Sequence, residues 1–250
     1  MRVKFLLLFL FGVTLLKAQK LEKDSTIAPL YKNTIRYNLS NTLFFGSEYI
    51  IFGYERVLGR HQSASLNFGI ASFPALGSVA LDSLEVSHQS KGSGFSLALD
   101  YRFYLKKENK YGAPHGLYIG PYMNANVLRR DAYLNLAKGG TKVDFELKNE
   151  LQVFTIGAQI GYQFLFLKDR VALDMILFGP GMGFYKYKGD LNTSLSSENE
   201  GKLMAVVKQA ILNKFPGANT VFEGTSLESK GSSFQMGAGY RLVFNIGYRF

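Results

Sequence analysis

Three histidines, His61, His88 and His115, are the side chains best suited to move a proton near neutral pH. Two of them open His-x-Ser triplets, His61-Gln62-Ser63 and His88-Gln89-Ser90, a spacing that could let an imidazole activate a serine hydroxyl. That chemistry also needs an acid to orient the imidazole, and only His88 has acids nearby, Asp82 and Glu85. No alternation around His88 would fix the trio on one strand, so each histidine reads most simply as a solvated loop residue. The chain has no cysteine, which excludes disulfides, zinc–thiolate sites, haem attachment and a lipidated N-terminal cysteine. No metal-ligand spacing or phosphate-binding glycine loop is present either. No catalytic, cofactor-binding or metal residue is therefore expected, and the chain reads as a non-enzyme.

Seven other charges are notable for their isolation. Arg36, Glu55, Asp100, Arg102, Asp174, Arg241 and Arg249 each stand among small or polar residues on one face of an alternating segment. The last segment is the clearest, with Met236, Ala238, Tyr240, Leu242, Phe244, Ile246, Tyr248 and Phe250 on one face. Its other face carries Gln235, Gly237, Gly239, Arg241, Val243, Asn245, Gly247 and Arg249. Eight such strands are expected, near residues 33–45, 48–58, 61–73, 93–105, 114–134, 142–167, 170–187 and 232–250. Gly179-Pro180-Gly181 should interrupt the seventh as a bulge. Connections at 59–60, 106–113 and 168–169 are short or moderate, whereas 72–92, 131–142 and 188–231 are longer.

A soluble sandwich or barrel would put its apolar face inside and lysine and glutamate outside. Here the non-apolar face is instead Gly, Ser, Asn, Gln and Thr, which suits the crowded lumen of a narrow barrel in a membrane. The expected fold is thus all-β: an eight-stranded antiparallel up-and-down transmembrane β-barrel over 33–250. The seven charges would form a polar network inside it, four cations against three anions.

Residues 1–18 read as a secretory signal peptide, with Arg2 and Lys4 before an apolar stretch and Ala18-Gln19 at the junction. Residues 19–32 read as a polar leader. Cleavage would remove Arg2, Lys4 and Lys17 and no acid, taking the net charge from +10 to +7. The remaining excess is dispersed, so no nucleic-acid partner is expected. Within the longest loop, Leu203, Val206, Val207, Ala210 and Ile211 follow helical spacing. Glu198 and Glu200 would precede that helix, Lys214 end it and Pro216-Gly217 stop it, giving one helix in a long extracellular loop, either packed on neighbouring loops for stability, a lid over the barrel mouth or a docking surface for a partner. The sixth strand exceeds the roughly 9–11 residues of a membrane span, so 128–150 should stand above the surface as a β-extension.

The terminal Phe250, preceded at alternate positions by Tyr248, Ile246, Phe244 and Leu242, resembles the C-terminal assembly signal of bacterial outer-membrane barrels. With the Ala18-Gln19 junction and Gly53-Tyr54-Glu55-Arg56, the chain resembles small Bacteroidota outer-membrane β-barrel proteins of the OmpA/OmpX-like eight-stranded class. The resemblance implies Sec-type export, integral insertion among outer-membrane lipids and lipopolysaccharide, and recognition by the barrel-assembly machinery. Because side chains can fill the interior of eight strands, a plugged polar lumen is expected, and the leading reading gives the extracellular loops surface binding or envelope organisation through a ligand or neighbouring protein. The His-x-Ser triplets are similar to the His/Ser pair of outer-membrane lipid A deacylases, so a lipid-modifying enzyme is the alternative, with a small-solute channel a third.

Overall fold

In the computed structural model the described residues are 30–73, 84–90, 92–138, 141–191, 197–214 and 231–250. The expected signal peptide and most of the leader lie outside them. The elements are β1 (Asn33–Asn38), α1 (Leu39–Phe45), β2 (Ile50–Gly59), β3 (Gln62–Ile70), β4 (Leu84–Gln89), β5 (Ser93–Tyr104), β6 (Gly116–Lys138), β7 (Thr141–Phe166), β8 (Val171–Leu191), α2 (Ser197–Lys214) and β9 (Gly231–Arg249).

Eight of the strands form a closed antiparallel ring in the order β1-β2-β3-β5-β6-β7-β8-β9. The first and last strands close it, from Thr34 opposite Arg249 to Asn38 opposite Asn245. Over that stretch closure leaves no sheet edge, as in an up-and-down barrel. β4 lies outside this count. It pairs with Ala132–Leu136 of β6 just beyond the stretch of β6 that β5 occupies, so β5 is in effect continued by a second short strand.

One end of the ring carries the tight connections β2–β3, β5–β6 and β7–β8 together with the start of β1 and the end of β9. This is the turn end; the opposite end is the loop end. At the turn end Leu167, Lys168 and Asp169 all adopt positive φ, and Arg170 N donates to the Leu167 carbonyl. Three such residues in succession make the reversal from β7 to β8 tight. At the loop end β6 and β7 pair without interruption to Lys138 opposite Thr141. Within the expected long connection over 131–142, residues 131–138 and 141–142 are therefore strand.

Four further expectations are corrected. Residues 39–45 are not the upper half of the first strand but helix α1. Leu39 and Leu43 mimic alternation, but the Asn38 side chain accepts from Asn41 N, and that N-cap bond turns the chain helical. The segment 72–92 is not all loop, because it contains β4. The irregularity in β8 falls between Ile176 and Gly179, just before the Gly-Pro-Gly, where the β9 register also shifts. Glu198 and Glu200 lie inside α2 rather than ahead of it, where acids in the first turn complement the helix dipole.

Candidate functional site

The inward face of the ring holds a compact ionic network nearer the turn end. Asp174 on β8 is its hub and is fully buried. It accepts from Arg36 Nη1 on β1 at 2.9 Å, Arg102 Nη2 on β5 at 3.0 Å, Tyr118 Oη on β6 at 2.7 Å and Asn245 Nδ2 on β9 at 2.9 Å. Glu55 on β2 is the second acid. It accepts from Ser63 Oγ at 2.6 Å, Tyr104 Oη at 3.2 Å and Gln163 Nε2 at 3.1 Å, and faces Arg102 at 3.4 Å and Arg36 at 3.7 Å. Asp100 binds Arg102 Nε at 2.7 Å and lies 3.4 Å from Arg241 Nη1.

Counting strands around the ring shows how these contacts fill the lumen. β2 and β7 are four strands apart in the ring of eight, as are β5 and β9, so each pair is diametrically opposed. The Glu55–Gln163 and Asp100–Arg241 contacts therefore cross the full bore at two levels. An interior of eight strands is just wide enough for side chains to fill it, and here they do. Tyr118 closes one side beneath the Arg102 guanidinium, whose carbon lies 4.5 Å from the ring centroid, and Tyr122 stacks similarly on Arg241 at 5.2 Å.

Of the seven charges singled out in the sequence, the structure joins six. Arg36, Arg102 and Arg241 meet Glu55, Asp100 and Asp174, a balance of three cations to three anions. Arg249 is the exception and corrects the expected seven-member network. It is buried at the turn end, where it donates to the backbone carbonyls of Asp169 and Tyr31. Its inward phase on β9 was legible in the sequence; its position past the last acid was not. Neutral partners that sequence reasoning missed, Tyr104, Tyr118 and Gln163, share the inward phase with those charges.

Of the histidines, the side chains of His61 and His115 are described, and neither is placed with a serine and an acid. His61 sits in the β2–β3 turn, and Ser63 directs its hydroxyl into the lumen at Glu55 rather than at the imidazole. His115 lies in the β5–β6 turn, stacked on Tyr111 with ring centroids 4.7 Å apart. Burial pushes its imidazole below the usual value, with Asp169 opposing and Arg249 adding to the shift. The side chains of Asp82, Glu85 and His88 lie outside the described residues. Ser90 Oγ accepts from Asp131 N at 2.9 Å. Among the described residues no three His, Cys, Asp or Glu side chains converge as metal ligands would.

Towards the loop end the wall changes character along single strands. Ala125, Phe154, Phe184 and Met236 are successive cross-strand partners on β6, β7, β8 and β9, and all point outward. One row higher the outward partners are Val127, Gln152 and Lys186; the next row is Arg129, Glu150 and Lys188. There Glu150 meets Arg129 at 2.7 Å and Lys188 at 3.4 Å, and the bond from Arg129 is the main cause holding its carboxyl below the usual range. The inward face of β7 becomes more apolar over the same rows. Below them it is polar, with Thr155, Gln159 and Gln163; above them it is Val153, Leu151 and Leu147, with Asn149 between the two leucines, all buried. Leu128, Ala132, Tyr185 and Tyr187 line this upper chamber too.

A second polar cluster ties the loop end together. Arg130, inward on β6, donates through Nε to the Phe73 carbonyl at 2.9 Å and through Nη1 to the Ser90 carbonyl at 3.2 Å, and pairs with Glu48. Ser72 Oγ also donates to Glu48, so one guanidinium holds the β1–β2, β3–β4 and β4–β5 connections at once. Gly92 permits this approach: a Cβ there would fall 2.3 Å from Ser72 Cβ and 2.7 Å from Arg130 Nη2. On α2, Leu203, Met204 and Val207 are buried.

No family model, curated protein or solved structure matches this chain.

Proposed function

We propose that the chain is an integral barrel of the bacterial outer membrane, non-enzymatic, with a plugged polar lumen and a loop-end extension that serves surface binding or envelope organisation. The inversion of polarity along β6, β7 and β8 carries this reading. A protein with one solvent on its outside needs one kind of outward residue. These strands bear two, and the change comes at one level on neighbouring strands. Hydrocarbon against the apolar rows and water above Phe154 and Phe184 accounts for both halves of the outward face.

The dimensions support it. On β7 the apolar outward row runs from Phe154 to Phe166, close to the roughly 9–11 residues of a tilted span once the terminal aromatic residues are placed at the interface. The outward side chains of the band are large and exposed, among them Phe52, Phe68, Phe95, Leu97, Ile156, Phe178 and Leu242. A continuous girdle of that size is far beyond the apolar patches of soluble monomers. At the turn end Tyr101, Phe103, Tyr162, Phe164, Phe166 and Tyr248 supply aromatic residues at the height of an interface.

On this reading the partners are outer-membrane lipids and lipopolysaccharide around the band. During biogenesis, after Sec-type export, the barrel-assembly machinery would read Leu242, Phe244, Ile246, Tyr248 and Phe250. The outward exposure of Leu242, Ile246, Tyr248 and Phe250 suits that role. A ligand or neighbouring protein would meet the loop end. The test is membrane fractionation with gel electrophoresis before and after boiling. A membrane-bound species whose mobility changes only on heating is expected; soluble periplasmic recovery with unchanged mobility would overturn the reading.

A further inference from the structure

The two ends of the ring handle their charges differently. Loop-end cations are paired: Arg129 and Lys188 with Glu150, Lys148 with Glu146 and Arg130 with Glu48. At the turn end Arg60 stands in the β2–β3 turn, Lys106, Lys107 and Lys110 in the β5–β6 connection, and Lys168 and Arg170 in the β7–β8 turn. Lys32, just before β1, and Arg56 of β2 border them. Among the described residues of this end only Glu108 and Asp169 oppose these eight exposed or half-buried cations, and none of the eight forms an ion pair. A carboxylate at Phe250 would still leave an excess of five. Residues 19–29 carry Lys20 and Lys23 against Glu22 and Asp24, so they bring no net negative charge.

Two of these cations stand on the outer wall at one seam. Tyr248, Ile35 and Tyr54 are successive cross-strand partners on β9, β1 and β2, all outward and exposed. One row nearer the turn end lie Phe250, Asn33 and Arg56; Asn33 and Phe250 exchange backbone bonds, and Arg56 is opposite Asn33. The Asn33 side-chain oxygen accepts from Tyr54 Oη at 2.6 Å and from Arg56 Nη1 at 3.2 Å, which draws the Arg56 guanidinium towards β1. From the other flank Arg170 Nη1 donates to Tyr248 Oη at 3.0 Å, and its guanidinium carbon lies 4.2 Å from the ring centroid of Tyr31, two residues before β1. β2 and β9 are two strands apart, about 10 Å. Two guanidiniums that lean into that interval from both flanks suit one bridging phosphate, whose oxygens accept from both.

We propose that this seam is a site for the phosphate of an anionic phospholipid in the turn-side leaflet, held between Arg56 and Arg170 with its acyl chains along Tyr54, Ile35 and Tyr248. The aromatic row fixes the depth: Tyr54 and Tyr248 present apolar rings to hydrocarbon and hydroxyls to the polar row, as at a headgroup boundary. The lysines of the neighbouring turns add a field that favours a net negative headgroup over a zwitterionic one. The proposal rests on the membrane reading, which supplies the lipid. It goes further in assigning a headgroup class to one place on the rim.

The test uses the full chain with a single cysteine placed at Ile35 or, away from the cationic rim, at Ile156, each carrying an environment-sensitive fluorophore. Each labelled chain is folded in mixed phosphatidylcholine–phosphatidylglycerol vesicles in which one lipid or the other is brominated high on its acyl chains. At position 35 brominated phosphatidylglycerol should quench with about fivefold higher apparent affinity than brominated phosphatidylcholine, roughly what one cation contributes at an anionic surface. At position 156 the two lipids should quench equally. Arg56→Gln/Arg170→Gln should abolish the preference, Arg56→Lys/Arg170→Lys should retain most of it, and Lys186→Gln/Lys188→Gln should leave it unchanged. Heat-modifiable mobility checks that each variant is folded. Equal quenching by the two lipids at position 35 would overturn the site, as would a preference that the glutamine pair leaves intact. Co-sedimentation with peptidoglycan that the glutamine pair loses, without any lipid preference, would assign the cations to a wall polymer and overturn it too. Quenching at neither position would overturn the membrane reading as well.

Discussion

Replacing Asp174 by alanine should unfold the barrel far more readily than any comparable surface change. The carboxylate accepts four hydrogen bonds from groups on β1, β5, β6 and β9, two of them from guanidiniums. Its loss converts a network of three cations and three anions into one with an excess buried charge. Removing one partner of a buried pair costs about 3–5 kcal/mol, because the remaining charge is left uncompensated. The Tyr118 hydroxyl and Asn245 amide would lose an acceptor as well, at about 1–3 kcal/mol for each group left unsatisfied. Rearrangement towards Glu55 recovers part of this, so a total near 4–6 kcal/mol is expected. Asp174→Asn keeps an oxygen acceptor but not the charge, and should fall between the wild type and alanine. The control is Glu150→Ala, which breaks pairs with Arg129 and Lys188 that are half exposed. Exposed pairs contribute about 0–1 kcal/mol. Urea unfolding in vesicles, read from the fraction of heat-modifiable band, measures both. Equal midpoints for the two alanine variants would show a hydrated lumen and refute the buried-network reasoning.

Other outcomes follow from the same geometry. Leu151→Ala, inward and fully buried in the upper chamber, should cost about 2–5 kcal/mol in that assay, whereas outward Ile156→Ala should cost much less in vesicles. The buried His115 imidazole is held below its ordinary value, so the unfolded chain binds the extra proton first as pH falls. Its stabilisation is complete above the unfolded value of 6.5 and is lost as pH drops towards the lowered folded value. A melting series from alkaline to acid pH should show that loss, and His115→Gln should flatten it. Deleting Phe250 removes one half-exposed aromatic, roughly 1–2 kcal/mol of burial, so a large fall in inserted protein would report lost recognition rather than lost stability. In planar bilayers the purified protein should give no steady unitary steps, and reproducible ones would contradict side chains that meet across the bore.

Much of the barrel was legible because period-two alternation survives wherever a strand separates two unlike environments. β5, β7 and β9 declare themselves in this way, and their inward phase leads directly to Asp100, Arg102 and Arg241. The run Ile50-Ile51-Phe52 at the start of β2 breaks the alternation, and the structure gives the cause: Ile51 turns inward to an apolar chamber while Ile50 and Phe52 face outward. One alternation rule could not describe strands whose two faces exchange character part-way along. α1 was read as strand because Leu39 and Leu43 keep the even spacing, while Asn38 at its cap and the side-chain bond from Ser40 to Asn38 decide the matter locally. Tyr104, Tyr118 and Gln163 were overlooked because charges alone were followed inward. Neutral donors on the same phase deserved equal weight, since a buried carboxylate needs several. The tie from Arg130 to Glu48 joins positions far apart in sequence, and no local pattern announces it.

The most direct measurement of the two-solvent wall is a single-cysteine scan along the outward phase of β7, in a chain with no cysteine of its own. Labels at Glu150, Gln152, Phe154, Ile156, Ile160 and Tyr162, each with an environment-sensitive fluorophore, would be compared in vesicles with and without brominated acyl chains. Strong quenching from Phe154 to Tyr162, with little at Gln152 and none at Glu150, is the expected result. Emission typical of water at every position, unaffected by bromine, would contradict a hydrocarbon belt that ends between Phe154 and Gln152.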